Sequence, residues 1–194
     1  MLPSSAQVGQ HAKLNALSAL WPTLTGAQKT SWANFAAAHQ HVTAWGETKN
    51  VNGFQWFMSC NLNLATVGTA PISSAPGWSA IAAPDAFTLV ANAGDFYADF
   101  GAVKNYTGYH LFVFVTTPSK QASLKLRRAN FLLRYDTDPN SRYVALKVSY
   151  AAFLSVVWAT FYGGTNSSII VKLVKVQKAT GLSSPYASAV IKLN

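Results

Sequence analysis

The chain has 194 residues, half of them hydrophobic and 13% aromatic, enough apolar material for a core in one large domain or two small ones. Only 11% are charged and the net charge is +9, against about 25% charged in an ordinary soluble domain. The charge deficit favours burial of part of the exterior against other subunits, and the single cysteine, Cys60, excludes an internal disulfide.

The basic excess is uneven. Residues 1–80 carry Lys13, Lys29 and Lys49 against Glu47, and all other charged residues follow. A positive surface favours acidic protein, nucleic acid or anionic membrane as partner without choosing among them. The N-terminus, M-L-P-S-S-A-Q-V-G-Q-H, lacks a basic n-region and an apolar h-region, so synthesis in the cytoplasm without a signal peptide is expected. The longest apolar run, Ala151 to Tyr162, is too short for a membrane-spanning helix, so no membrane insertion is expected.

In chain order, residues 1–23 read as an N-terminal arm, 1–11, and a short helix from Ala12 to Trp21, with Leu14, Leu17 and Trp21 on one side and Pro22 as its stop. Residues 24–68 read as a helical region. Thr25-Gly-Ala-Gln28 is a capping box opening a helix to about His39, with Ala27, Trp32, Phe35 and Ala36 on its apolar side. A small ribbon or loop is expected around Gly46-Glu47. Asn52-Gly-Phe-Gln55 caps a further helix with Phe54, Phe57, Met58, Leu62 and Ala65 as its stripe, stopped by Gly68. Cys60 in this pattern reads as a buried structural thiol.

Residues 69–84, T-A-P-I-S-S-A-P-G-W-S-A-I-A-A-P, read as an extended Pro/Ser-rich linker. Beyond it the helical period vanishes, and residues 85–194 read as a β-sandwich. A hairpin is expected over Ala86–Val90 and Asp95–Phe100, then strands over Tyr109–Thr117, Ala129–Tyr135 and Arg142–Val148. Ser149–Phe161 fits either a short helix with a strand or one continuous strand. Ser168 to Leu193 reads strand, turn, strand. Ile169, Val171 and Leu173 alternate with Ile170, Lys172 and Val174, and the run breaks at Ala-Thr-Gly-Leu-Ser-Ser-Pro, where Gly181 can take a positive φ.

The ending V-K-L-V-K-V-Q-K-A-T-G-L-S-S-P-Y-A-S resembles the last two strands of a fibronectin type III module, and the resemblance covers residues 84–194. It implies an immunoglobulin-like sandwich. The front part, L-T-G-A-Q-K-T-S-W-A-N-F-A-A-A with N-G-F-Q-W-F-M-S-C-N-L-N-L-A-T-V-G, resembles a recurring arrangement in uncharacterised bacterial and phage-associated proteins. There a Leu-Thr-x-x-Gln…Trp-x-x-Phe helix precedes a Gly-Phe-x-x-Phe helix, and the match covers residues 24–68. It implies a virion or prophage structural context and carries no activity. The expected class is therefore α+β, mostly β: a small helical N-terminal region followed by a fibronectin III-like sandwich.

Candidate chemistry is sparse. Asp95 with Asp99, and Asp136 with Asp138, read as turn or surface residues rather than acid–base pairs. His39 and His41 fall near a helix end with no third ligand in the pattern, and no nucleophile elbow, phosphate loop or dinucleotide fingerprint occurs. No catalytic residue, metal or cofactor is expected. Lys120, Lys125, Arg127 and Arg128 form a basic cluster that could contact phosphate or protect a strand edge. Lys172, Lys175 and Lys178 read as solvent-side or subunit-contact residues. Trp45, Trp56, Trp78 and Trp158 are candidate interface aromatics, or a sugar-binding set. The expectation is a non-enzymatic structural protein of a phage or phage-like particle, a capsid, head–tail or tail accessory protein in the virion, packing on copies of itself or on other virion proteins. The alternatives are a surface-glycan or protein-binding module and a basic nucleic-acid-contacting virion protein.

Overall fold

The computed structural model describes residues 5–42, 48–92, 94–115, 142–146 and 167–193. The strands expected over Ala129–Tyr135 and in Ser149–Phe161 lie outside these residues. Two compact units result. One comprises Met1–Ile81 with Val176–Ser183, the other Ala82–Lys175 with Ser184–Asn194.

The first unit is helical. Helix α1 spans Ser5–Leu20 and a 3₁₀ turn follows over Trp21–Thr23, with Pro22 inside it. The helix starts seven residues before the Ala12 expected from the apolar pattern, within the segment read as an arm. Ala, Gln and His in that segment tolerate helical geometry, so the helix propagates backwards from its packed end. Leu17 is buried, whereas Leu14, expected beside it, is exposed. Helix α2, Gly26–Ala38, opens on the expected capping box: the Gln28 N–H donates to Thr25 Oγ1 (3.2 Å) and the Thr25 N–H to Gln28 Oε1 (2.8 Å). Short strands β1, His41–Val42, and β2, Thr48–Lys49, pair antiparallel around the expected ribbon position.

Helix α3, Gly53–Thr66, opens on a second box, with Asn52 and Gln55 exchanging bonds of 2.9 Å. It closes on Gly68 at φ +75°, where the Thr69 N–H returns to the Leu64 carbonyl at 3.0 Å as in a Schellman cap. Its buried side is Gly53, Trp56, Phe57, Cys60, Asn61 and Leu64. The stripe expected from the sequence was rotated by about one residue: Phe57 is buried, but Phe54 is exposed and Met58, Leu62 and Ala65 are half-buried. Trp56 and Leu64 take the inward positions on the side of α3 that meets α2 and the 178–183 segment. Ala27 of α2 is likewise exposed, while Trp32 and Phe35 fill the core.

Large aromatics close this small core. Trp32 meets Phe57 edge to face at 5.7 Å, Phe35 meets Trp56 at 5.1 Å, and Trp21 lies 5.2 Å from Phe57. Gly53 lets α3 approach α2 closely, because a Cβ there would stand 2.8 Å from the backbone of Trp32 and Ala33.

Among the described residues the second unit shows two three-stranded sheets. Strands β3, Thr88–Ala91, β4, Phe96–Asp99, and β6, Tyr143–Ala145, form one in the order β3-β4-β6. The β3–β4 hairpin turns on Asn92, whose Oδ1 accepts from the Gly94 and Asp95 N–H groups. Strands β5, Tyr109–Val115, β7, Ser167–Gln177, and β8, Ala187–Leu193, form the other in the order β5-β7-β8. The β7–β8 pairing is antiparallel, with Ile169 opposite Ile191 and Val171 opposite Ala189. Phe96, Ala98, Val144 and Leu146 from one sheet share a core with Leu111, Val113, Val115, Ile169, Val171 and Leu173 from the other. The chain is α+β.

The segment between β7 and β8 completes the helical unit. Leu182 is buried in the helical core, and Asn63 Nδ2 donates to the Gly181 carbonyl at 2.8 Å. Gly181 takes φ +70°, and a Cβ there would overlap the Cys60 carbonyl. Gly181→Ala should therefore lower the unfolding free energy by about 3 kcal/mol or more, combining left-handed strain and overlap. Gly77→Ala, at an exposed position open on all sides, should change it by less than about 0.5 kcal/mol. Urea midpoints of both variants read the difference.

Candidate interaction surface

Residues 69–84, expected as a free linker, instead begin as a strap across α2 and α3. Pro71 and Pro76 bias Ala70 and Ala75 towards extended backbone, and an extended segment without a strand partner must satisfy its polar groups elsewhere. Asn61, fully buried on α3, does so at Ile72: its Nδ2 donates to the Ile72 carbonyl (3.1 Å) and its Oδ1 accepts from the Ile72 N–H (2.7 Å). Trp32 Nε1 donates to the Ser73 carbonyl (2.8 Å), and Ser31 Oγ accepts from the Ala75 N–H (3.1 Å). Ile72, Ala75 and Ile81 pack against the helical core.

The strap delivers Trp78 to an aromatic shelf. Its ring stacks on His39 at 4.2 Å and 11°, with Phe35 at 5.7 Å and Trp56 at 6.2 Å. Trp78 remains 47% exposed, whereas Trp56 is 5% exposed. Of the four tryptophans singled out in the sequence, Trp78 is thus a surface residue and Trp56 a core residue. Trp56 is buried because it lies on the inward side of α3 and donates to the His39 carbonyl at 3.4 Å. Trp45 and Trp158 lie outside the described residues, as do Lys120, Lys125, Arg127 and Arg128.

The opposite side of α3 leaves an open groove of about 370 Å³, lined by His41, Val51, Phe54, Met58, Ser59 and Leu62. Its wall is largely apolar. His41 Nε2 and Ser59 Oγ share a hydrogen bond of 3.2 Å, and burial holds the imidazole below its ordinary value. A serine beside a neutral imidazole has the form of a nucleophile with its base. However, Ser59 sits inside α3, and the amides beside it belong to the helical ladder rather than to an oxyanion site. Cys60 faces the core, and burial pushes its thiol up to about 12, which keeps it protonated and unreactive.

Among the described residues of the second unit, Arg142 pairs with Asp99 and Lys104 with Asp85. Arg142 binds Asp99 through Nε (2.9 Å) and Nη2 (3.1 Å), and this contact holds the Asp99 carboxyl below its usual range. Tyr106 donates to Asp85 Oδ2 at 2.7 Å and accepts from the Asp85 N–H at 3.2 Å, while Lys104 stands 3.5 Å from Asp85 Oδ1. Lys172 and Lys175 depart from the solvent-side reading. Both are half-buried, Lys172 lying 5.2 Å over Tyr186 and Lys175 lying 5.3 Å over Tyr106, and desolvation lowers both ammonium groups from their ordinary value. Lys178 is exposed.

Sequence reading missed the anchors Ser31 and Asn61. Asn61 had left a signal: asparagine is a poor interior helix residue, yet it lies on the apolar side of α3. Among the described residues no three His, Cys, Asp or Glu side chains gather as a metal set, and no helix is long and apolar enough to cross a membrane.

Asn61→Ala should cost about 2–3 kcal/mol by stranding the Ile72 amide and carbonyl, read as a lower urea midpoint together with faster exchange of the Ile72 amide. His41 gives a pH signature of defined sign. Its folded value lies below its unfolded one, so the unfolded chain binds the extra proton as pH falls from about 6.5. Its contribution is intact above that pH and lost as pH drops through the folded value. His41→Gln should flatten that part of the stability–pH curve.

Comparison with family models, curated proteins and solved structures finds no match for this chain.

Proposed function

We propose that this chain is a non-enzymatic structural protein of a phage or phage-like particle, a capsid, head–tail or tail accessory protein of the virion that acts by packing against other polypeptides. The observation that carries the reading is its surface: a chain with 11% charged residues displays Val8, Leu14, Phe54, Trp78, Val103, Tyr143 and Val190 to solvent. Apolar groups in a charge-poor exterior favour association over life as a free monomer. The resemblance of the Leu-Thr-x-x-Gln…Trp-x-x-Phe and Gly-Phe-x-x-Phe segments of residues 24–68 to phage-associated proteins suggests the particle context.

The second unit is read as a fibronectin III-like sandwich. Two three-stranded sheets sharing one core support it, as does a closing β7–β8 pair joined at Gly181. The glycan reading rests on tryptophans, and one face of Trp78 is already stacked on His39, so particle assembly is preferred.

The test is sedimentation of the purified chain and of particles from cells that produce it. The chain should run as an oligomer or co-sediment with particles, and Val103→Glu, at the most exposed of these apolar positions, should weaken that association at least threefold if this surface is used. A stable monomer that never travels with particles would overturn the reading.

A further inference from the structure

The alternation of β7 places Ile169, Val171 and Leu173 in one inward row, all buried in the core shared by the sheets. A strand side chain recurs on the same face every second residue, so Lys175 is the next member of that row. A lysine at this position is costly unless its charge is used. Its ammonium lies 5.3 Å over the Tyr106 ring and 5.6 Å over the Tyr109 ring, so two aromatic faces wall it. Its backbone is fixed by Ser184, which accepts from the Lys175 N–H at 3.0 Å and whose own N–H donates to the Lys175 carbonyl at 2.9 Å.

The neighbouring carboxylate is already committed. Asp85 Oδ2 accepts from the Tyr106 hydroxyl and Oδ1 pairs with Lys104. Two lysines therefore share one carboxylate, and among the described residues the Lys175 ammonium makes no hydrogen bond or close ion pair of its own. Lys104 and Lys175 against Asp85 leave one positive charge in surplus beside the tyrosine rings.

We propose that Lys175, walled by Tyr106 and Tyr109 and flanked by the Asp85–Lys104 pair, is a subsite for a carboxylate side chain of an acidic partner polypeptide. The single surplus charge suits a monoanion, since a phosphate dianion would set a second negative charge against Asp85. The planar tyrosine rings suit a carboxylate on an aliphatic stem, which can lie along them while its oxygens meet the ammonium. The charge balance favours a different protein over a second copy: this chain has six acidic residues to fifteen basic ones, and Asp85 and Asp99 are paired internally. The proposal rests on the assembly reading above and names the kind of partner it requires.

The test uses the full chain with a hexaglutamate peptide as probe, followed by calorimetry at low salt. Hexaglutamate should bind, Lys175→Met should weaken it at least tenfold, and Lys104→Met, which releases Asp85 as a competing anion, should weaken it at least threefold. Lys192→Met, an exposed lysine of β8, removes the same charge and should change binding less than twofold. Hexaglutamine should not bind. Equal losses in all three lysine variants would show attraction to net charge alone and overturn the subsite. Absence of hexaglutamate binding, or inorganic phosphate competing as strongly as the peptide at equal concentration, would overturn it as well. Methionine keeps the aliphatic stem of lysine against the tyrosines, and an unchanged urea midpoint confirms that the variant folds. Particle co-sedimentation is read without any peptide, so the assembly reading and this subsite fail separately.

Discussion

The helical unit closes on a contact that permits no side chain. Gly181 lies against the Cys60 carbonyl on the buried side of α3, at a positive φ that suits glycine, with its own carbonyl held by Asn63. Leu182, the next residue, fills the core among Trp32, Phe35, Trp56 and Phe57. A segment distant in sequence is thereby as much a part of this unit as its helices. The Cys60 backbone is thus a packing surface, while burial of its thiol in the core keeps it protonated.

The same helix organises the strap. Residues 72–75 lie between two prolines and bend at Ser73 and Ser74, and among the described residues no strand pairs with their amides and carbonyls. Buried backbone left unpaired would cost as much as a lost hydrogen bond at each group. Asn61, Trp32 and Ser31 meet that need from α3 and α2. Because these bonds fix the strap, Trp78 arrives on His39 in a defined orientation and remains half in solvent. The bonds that stabilise the helical unit also leave Trp78 displayed at its surface.

Local rules were legible in the chain. Thr25 with Gln28, Asn52 with Gln55, and Gly68 marked helix ends that the structure realises, because capping depends on residues three or four apart. Strand alternation in Ser168–Leu193 and the positive φ of Gly181 were equally local. What could not be read was which neighbour covers which face. Phe54 and Trp56 are both large and apolar, and only the packing of α2 and the 178–183 segment decides that Trp56 turns inward. The 69–84 stretch has a linker's composition, and its attachment depends on Asn61 and Ser31, which no local pattern ties to it. Lys175 is intermediate: its place in the inward row follows from counting by twos, but its tyrosine walls come from another part of the chain. The basic cluster at Lys120–Arg128 was legible as charge, and its contacts lie outside the described residues.

The 178–183 segment is a structural member of the helical unit, and hydrogen exchange on the intact chain tests this most directly. The Gly181 amide bonds the Gln177 carbonyl, and the Leu182 amide bonds Thr180 Oγ1. If the segment is integral, these two amides exchange with the same opening free energy as the α3 amides from Phe57 to Leu64, and under the same denaturant dependence. If they exchange orders of magnitude faster while α3 stays protected, the segment is an ordinary surface turn and no part of the helical core.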